Sequence, residues 1–249
     1  MFSERIKQPI KRFVGAFGYR IQGTRYCPRQ LFDPSCLRRV EFDDVICRRM
    51  FECGSELSFI QIGGFDGVTW DPLRKYIDKC QWRGVVVEPQ AKAAEKLRQL
   101  YRGNDRVVIL QAALDRECGS RTFYTVEHPS APAWAAGLGS FEKHIILKHS
   151  DLIAGLQGMI REETVNCVTF DKVLESLSTQ GLDLLQIDTE GWDSYLLGAF
   201  PFQRATPAIV HWEVKHLPKL EREKCLDLLI NFGYRVASSG GEDMFAVKS

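Results

Sequence analysis

FIQIGGFDGVTWDPL, residues 59–73, is the stretch that decides the fold of this chain. Its apolar first half predicts a buried strand, and the glycines that follow predict a sharp turn toward a helix around residues 71–79. Glycine lets the chain turn and lets a ligand approach the main chain closely, as in the cofactor-binding turns of α/β domains. The alternative for these glycines is an ordinary strand-to-helix turn.

From residue 57 onward, apolar runs alternate with helical patterns, which indicates a parallel sheet flanked by helices. The last two runs flank a short Gly-containing turn and predict an antiparallel hairpin that closes the sheet. Residues 128–140 predict an irregular loop rich in Pro, Gly and small residues. The strands predicted along the chain are 57–63, 84–89, 107–114, 121–126, 165–170, 182–188, 208–214, 234–238 and 243–248, and the main helices are 91–102, 141–149, 171–178, 191–198 and 219–232.

The composition excludes several classes of protein. The 249 residues are 45% hydrophobic and 26% charged, and no apolar run approaches the roughly 18 residues that cross a bilayer. The eight cysteines form no CxxC pair and no zinc-type spacing, which argues against a zinc or redox centre. A net charge of +1 argues against a nucleic-acid partner. We therefore expect a cytoplasmic α/β enzyme domain.

Residues 1–55 are predicted to form a basic N-terminal extension, and residues 56–249 the catalytic domain. Within the extension, residues 1–29 carry seven basic residues against Glu4 alone. The apolar residues Ile6, Ile10, Phe13, Val14 and Phe17 recur there at near-helical spacing, and a short helix is expected to start near Pro9. We therefore expect peripheral contact with the anionic inner face of a membrane. A basic arm packed on the acidic remainder of the domain is the alternative.

The strand ends suggest an adenosine-containing cofactor. Glu88 ends the second strand, where an acidic residue accepts hydrogen bonds from ribose hydroxyls. Asp66 places a carboxylate in the glycine turn, which would repel a pyrophosphate but would favour the ammonium and sulfonium groups of S-adenosylmethionine. The predicted cofactor-binding residues are Gly63, Gly64, Asp66, Glu88, Gln111 and Ala112.

A second group of residues provides acid and base chemistry. Asp188 and Glu190 follow the strand at 182–188, while His211 and Glu213 lie two apart on the next strand and so share a face. We predict that these four are the catalytic residues, because together they provide acid and base capacity in one place. The alternatives are that Asp188 caps the following helix and that His211 and Glu213 form a buried polar pair. A divalent metal ion suits such a cluster, but no fixed ligand spacing supports one, so no metal ligand is assigned.

Two further residues are predicted to bind the substrate. His144 lies on the helix predicted at 141–149, and Trp192 follows a strand end on the ligand side of the sheet. An aromatic face such as that of Trp192 suits a sugar ring. Surface exposure for His144 and packing for Trp192 are the alternatives.

The order and spacing of several segments resemble those of the FkbM-type S-adenosylmethionine-dependent methyltransferases. The resemblance implies a class I, Rossmann-like α/β fold with a mostly parallel sheet, an antiparallel last strand and helices on both faces. It also implies O-methylation of a sugar hydroxyl in a glycan, glycolipid or secondary metabolite, as in polysaccharide biosynthesis. Gly64-Phe65 is a departure, since relatives often carry Ala-Asn there. The segments are FIQIGGFDGVTWDPL (59–73), VVVEPQ (85–90), LQAALD (110–115), GLGSFEKH (137–144), VTFDKVL (168–174), LLQIDTEGWD (184–193) and VHWEVKHL (210–217).

Two other functions are compatible with this fold. An NAD-dependent Rossmann-type oxidoreductase is one, although Asp66 argues against a pyrophosphate site. A non-catalytic binding protein that retains the fold is the other, although the acid-rich strand ends argue against it. The acceptor, either a small molecule or a lipid-linked glycan, and the oligomeric state are not specified by these patterns.

Overall fold

The computed structural model describes residues 40–177, 181–239 and 242–248. The long apolar runs of the sequence become strands buried on both faces, as all five residues of the first strand show. The strands in chain order are β1 (Ser58–Ile62), β2 (Arg83–Val87), β3 (Val107–Leu110), β4 (Ala113–Leu114), β5 (Gly119–Val126), β6 (Gly139–Ser140), β7 (Ile160–Val168), β8 (Leu184–Ile187), β9 (Ile209–Glu213), β10 (Tyr234–Ser239) and β11 (Asp243–Lys248).

Seven of these strands form a central sheet in the order β10-β11-β9-β8-β1-β2-β3. The strands from β9 to β3 pair in parallel, whereas β11 runs antiparallel to both of its neighbours. The predicted mostly parallel sheet with an antiparallel last strand is therefore confirmed. Because the parallel strands point the same way, the loops that follow β1, β2, β8 and β9 gather at one edge of the sheet.

Helices cover both faces of the central sheet, as predicted. The helices in chain order are α1 (Phe42–Cys53), α2 (Arg74–Cys80), α3 (Ala91–Leu100), α4 (Lys143–Leu147), α5 (Leu156–Met159), α6 (Phe170–Ser176), α7 (Asp193–Ala199) and α8 (Lys219–Asn231). On one face, Ile46 of α1 and Leu97 of α3 belong to the same buried cluster as Phe59 of β1. On the other face, Leu229 of α8 belongs to a cluster with Ile60 of β1. Neighbouring residues of β1 thus serve opposite faces, as the pleat requires.

A second sheet, which the sequence patterns do not predict, lies beside the edge at which the parallel strands of the central sheet end. It has the order β4-β7-β5-β6. The strand predicted at 107–114 is in fact two strands, because β3 stays in the central sheet while β4 pairs with β7. The loop predicted at 128–140 contains a 3₁₀ helix, Ala133–Gly137, and both residues of β6. Strand β7 begins well before the predicted residue 165, because polar residues on its exposed face dilute the apolar signal.

Helix α1 precedes the predicted boundary at residue 55 and packs on the central sheet. Ile46 is fully buried, and the backbone N–H of Val40 donates a hydrogen bond to the carbonyl of Ser238 at 2.9 Å. The basic segment 1–29 lies outside the described residues, and the boundary between 55 and 56 stays a prediction. Within the described part of the chain, no helix is both long and apolar enough to span a bilayer.

Asp183 links α1 to the first residue of β1 by hydrogen bonds. One carboxylate oxygen accepts hydrogen bonds from Nε and Nη2 of Arg49 at 3.0 and 2.6 Å. The other oxygen accepts from the backbone N–H and the hydroxyl of Ser58, both at 2.9 Å. The side chain of Asp183 is only 18% exposed, so removing it would leave several partly buried donors without an acceptor.

Gly63 allows the ends of β1 and β8 to approach each other. Its φ is +83°, and a Cβ atom at this position would lie 1.8 Å from the carbonyl oxygen of Asp188. The backbone N–H of Asp188 in turn donates to the carbonyl of Ile62 at 3.0 Å. A side chain at residue 63 would therefore have to push apart two strands that are hydrogen-bonded to each other.

Replacing Asp183 with alanine should lower the free energy of unfolding by about 2–4 kcal/mol, because Arg49 and Ser58 lose a charged acceptor. Asp171→Ala is the matched control, since it removes an aspartate that pairs with Arg204 on an exposed surface. That change should cost less than about 1 kcal/mol. Chemical denaturation measures both values, and equal losses would contradict the role given to Asp183.

Replacing Gly63 with alanine should destabilise the protein far more than the same change at Gly103. Gly103 has a similar φ of +80° but open space around it, so Gly103→Ala carries only the backbone penalty of about 1–2 kcal/mol. Gly63→Ala adds the collision with Asp188 and should cost at least about 2 kcal/mol more. Chemical denaturation of both variants compares the two, and similar free energies of unfolding would show that the strands separate without cost.

Candidate active site

A cleft of about 470 Å³ opens at the edge where the parallel strands of the central sheet end. Its floor is formed by residues that end β1, β2, β8 and β9, and its wall by residues of the second sheet. This is the position at which open α/β sheets bind their ligands. The sequence-predicted residues that line it are Gly63, Gly64, Glu88, Ala112, Asp188, Glu190, Trp192 and Glu213.

Glu88 organises the glycine turn and also faces the cleft. It is only 3% exposed, and its carboxylate accepts hydrogen bonds from the backbone N–H groups of Phe65 and Gln90, both at 2.8 Å. Burial raises the pKa of Glu88 to about 7, although these two hydrogen bonds oppose the change. Each carboxylate oxygen has a further lone pair, so Glu88 retains the capacity to accept ribose hydroxyls.

Two of the residues predicted to bind the cofactor are not among those that line the cleft. Asp66 accepts hydrogen bonds from the backbone N–H groups of Val68 and Thr69 and from the Thr69 hydroxyl. Burial acts to raise the pKa of Asp66, but these hydrogen bonds outweigh it and keep the pKa below its ordinary value. Gln111 is exposed and accepts a hydrogen bond from Arg98. Asp66 thus stabilises the turn itself, because the nearest donors are those of its own loop.

Asp188, Glu190 and Glu213 meet on the other side of the cleft. Removal from bulk water, and then the charges of Asp193 and Glu190, raise the pKa of Asp188 well above its ordinary value. Burial, followed by the charges of Asp188 and Glu190, raises the pKa of Glu213 to about 10. Ionising all three carboxyls at once is therefore unfavourable without a positive partner, which suits a cationic ligand.

The helix after Asp188 is not capped by that residue. Asp193 accepts hydrogen bonds from the backbone N–H groups of Thr189 and Gly191 and from the Thr189 hydroxyl. Asp188 lines the cleft instead. The turn 189–192 is held by Asp193, and the side chain of Asp188 is left available to a ligand.

His211 lies deeper in the sheet than the cleft. It is buried, and its Nδ1 lies 2.6 Å from Oε1 of Gln186. Its ring packs on Phe245 and Phe42, and burial lowers its pKa to about 3. His211 and Glu213 do share a face, but His211 is one pleat further from the strand end. The structure therefore places His211 outside the cleft lining, as a neutral side chain that is hydrogen-bonded to Gln186.

The two residues predicted to bind the acceptor have different positions. The side chain of His144 is 68% exposed, and its Nδ1 lies 3.6 Å from Oε2 of Glu142. His144 is not among the residues that line the cleft. Trp192 lines the cleft and packs against Phe141 and Tyr195. Its indole N–H is buried without a hydrogen-bond partner. Trp192 is therefore both a packing residue and a wall of the cleft.

Two histidines that sequence reasoning missed lie beside the acidic cluster. His149 lines the cleft, and its ring is 5.5 Å from that of His216. Nε2 of His216 is 3.1 Å from Oε2 of Glu190 and 4.0 Å from Oε1 of Glu213. VHWEVKHL contains His216, but its approach to His149 joins segments 67 residues apart. No local pattern could have revealed that contact.

Unusual backbone conformations concentrate at the cleft. Phe65, Trp70 and Glu190 have φ values of +43°, +56° and +52°, and all three line the cleft. Such values are costly for residues other than glycine and persist where the surrounding structure enforces them. They direct these three side chains to positions that an ordinary turn would not provide.

Several solved structures are similar to this chain. The chain is similar to the crystal structure of methyltransferase FkbM from Methylobacillus flagellatus KT, with 9% identity and a TM-score of 0.48 over 88% of this chain and 47% of that chain. It thus spans about half the length of that protein. It is also similar to a chain of the fibrillarin/Nop5p complex, with 13% identity and a TM-score of 0.37 over 82% and 81% of the two chains.

A search of curated proteins gave no match to this sequence. The model of the methyltransferase FkbM domain family, however, matches residues 61–236. This range includes the glycine turn, Glu88, both acidic strand ends and the whole second sheet. The chain therefore belongs to the FkbM methyltransferase domain family.

Proposed function

We propose that the protein is an S-adenosylmethionine-dependent O-methyltransferase. The observation that carries the proposal is the joining, in one cleft, of a glycine turn with a buried glutamate and a separate acidic cluster. Membership of the FkbM methyltransferase domain family supports methyl transfer over an oxidoreductase or a binding function. The glycine turn and Glu88 would serve the cofactor, and the acidic cluster would serve the acceptor.

The residues present fit S-adenosylmethionine, which supplies an electrophilic methyl group when it is bound. Gly63 and Gly64 expose main chain to the cleft, and Cβ atoms there would meet Asp188 and Val86. Glu88 offers carboxylate oxygens for ribose hydroxyls, while Ala112 leaves room beside it. A sulfonium and an ammonium near Asp188 would favour the ionised carboxylates of the acidic cluster.

On the acceptor side, Asp188 is the residue that we assign as general base. Its pKa is raised toward neutral pH, and a general base is most effective when its pKa lies near the working pH. A hydroxyl proton would pass to the Asp188 carboxylate as the oxygen becomes a nucleophile. The indole rings of Trp134 and Trp192 line the same cleft and suit the apolar face of a sugar ring.

The acceptor class that we propose is a sugar hydroxyl of a glycan, glycolipid or secondary metabolite, as in polysaccharide biosynthesis. Residues 1–29, which lie outside the described range, would bring a cytoplasmic enzyme to lipid-linked glycan acceptors at the inner face of a membrane. Their seven basic residues can each contribute about 1 kcal/mol near an anionic surface.

Glu88→Gln should weaken the binding of S-adenosylmethionine about 10-fold or more, because a charged acceptor of ribose hydrogen bonds is lost. Since burial raises the pKa of Glu88 to about 7, binding to the unmodified protein should strengthen from pH 6 to 8, and the variant should lose that part of the dependence. Calorimetry at several pH values measures both effects.

Glu95→Gln is the matched control for this experiment, because Glu95 is an exposed glutamate of α3 away from the cleft lining. It should bind the cofactor as the unmodified protein does. An unchanged dissociation constant for Glu88→Gln, or preferential binding of NAD, would contradict the cofactor assignment.

Asp188→Asn should lower turnover by on the order of 100-fold or more, because amide nitrogen and oxygen cannot take up the hydroxyl proton. The measurement is transfer of labelled methyl groups into a glycan and glycolipid extract at saturating S-adenosylmethionine. Glu223→Gln on α8, a half-exposed glutamate outside the cleft, is the control. Full turnover by Asp188→Asn would exclude it as the base, and label found only in protein or nucleic acid would exclude a sugar acceptor.

A further inference from the structure

Three side chains from distant parts of the sequence meet beside the acidic cluster. His149 lies after α4, Glu190 follows β8, and His216 follows β9. One potential ligand atom from each lies within 4.8 Å of the other two. Imidazole nitrogens combined with a carboxylate oxygen form a donor set that suits divalent transition metals better than Mg²⁺ or Ca²⁺.

The spacing of these atoms is close to that of a coordination sphere. Ligands about 2.0–2.1 Å from a tetrahedral Zn²⁺ lie about 3.3 Å from one another. Nε2 of His216 and Oε2 of Glu190 are already 3.1 Å apart. The third ligand atom, on His149, would need to move by only about 1.5 Å or less, which a side-chain adjustment provides.

The buried polar atoms of this cluster give an independent indication of a ligand. The side chain of His216 is only 8% exposed, and its Nε2 has no hydrogen-bond partner although Glu190 is close. Nε2 of His149 and Oε2 of Glu213 are also shielded from solvent without a hydrogen-bond partner. Buried polar atoms without partners are costly. Atoms that converge without hydrogen bonding to each other are arranged as metal ligands are.

We propose that His149, Glu190 and His216 bind a divalent transition metal ion of the zinc type at the acceptor side of the cleft, with Glu213 as a neighbouring donor. Three protein ligands leave a coordination position open, as in catalytic zinc sites. The sequence gives no sign of this site because its ligands come from three segments with no fixed spacing along the chain.

The binding site stands on this geometry alone, whereas its catalytic role rests on the proposed function. A metal ion lowers the pKa of a hydroxyl that coordinates it. The O–H bond of the acceptor would then break, the proton would pass to the carboxylate of Asp188, and the oxygen would keep the electron pair needed for methyl transfer. An acceptor hydroxyl, otherwise a poor acid, would thereby react near neutral pH.

Titration calorimetry of the full-length protein, stripped of metal with a chelator, tests the site directly. ZnCl₂ and CoCl₂ should each bind at one ion per chain, and MgCl₂ should bind far more weakly. His216→Ala and Glu190→Gln should each weaken Zn²⁺ binding by on the order of 100-fold or more. His128→Ala is the matched control, because His128 is exposed and lies outside the cluster, and its affinity should equal that of the unmodified protein.

Circular dichroism establishes that each variant is folded, and Glu190→Gln retains the side-chain shape if His216→Ala does not fold. Zn²⁺ and Co²⁺ that bind no better than Mg²⁺, or that bind equally well to Glu190→Gln, would overturn the site. Since this measurement needs neither S-adenosylmethionine nor an acceptor, its result is independent of the proposed methyl transfer. Full turnover by the chelated enzyme would overturn the catalytic role of the ion.

Discussion

The close contact between the ends of β1 and β8 sets the geometry of the whole site. Gly63 has no side chain, so the carbonyl of Asp188 can lie where a Cβ atom would otherwise be. The glycine turn and the acidic strand end therefore stand side by side. Methyl transfer requires the donor and acceptor to be aligned within a short distance. Under the proposed function, that alignment would depend on the missing Cβ atom of Gly63, and the Asp188 to Ile62 hydrogen bond would keep the two strand ends in register.

A second constraint is electrostatic. Asp188, Glu190 and Glu213 gather at one edge together with Asp193, and burial, followed by their mutual repulsion, raises the pKa of both Asp188 and Glu213. Such a cluster lowers the stability of the unliganded protein, which is a common cost of preorganised sites. The same charges would be compensated by cationic ligands, both a sulfonium from one side and a metal ion from the other. The acidic cluster is thus better explained as a feature for binding than as a feature for folding.

How far the sequence predicts this site depends on how local each relation is. The positions of Gly63, Glu88, Asp188 and Glu213 in the cleft lining were predictable, because parallel topology alone brings strand ends to one edge. Asp66 looked like a ligand-binding carboxylate, yet its own loop supplies N–H donors that occupy it. His211 shares a face with Glu213, but periodicity does not tell how deep along the strand the cleft reaches. The second sheet and the contact of His149 with His216 join residues far apart in sequence, so no local pattern contains them.

The second sheet separates two tasks that the central sheet alone would have to combine. The half of the cleft that we propose for the cofactor is made from the ends of β1 and β2, whose residues are fixed by the packing of the core. The opposite wall, including Phe123, Trp134, Phe141 and His149, comes from residues 113–168. That segment has its own buried clusters, so its cleft-facing side chains can vary without disturbing the central sheet. His149 is the point at which this wall meets the acidic cluster. Under the proposed function, acceptor choice and hydroxyl activation would then be linked through His149, while the cofactor would bind at the ends of the parallel strands β1 and β2.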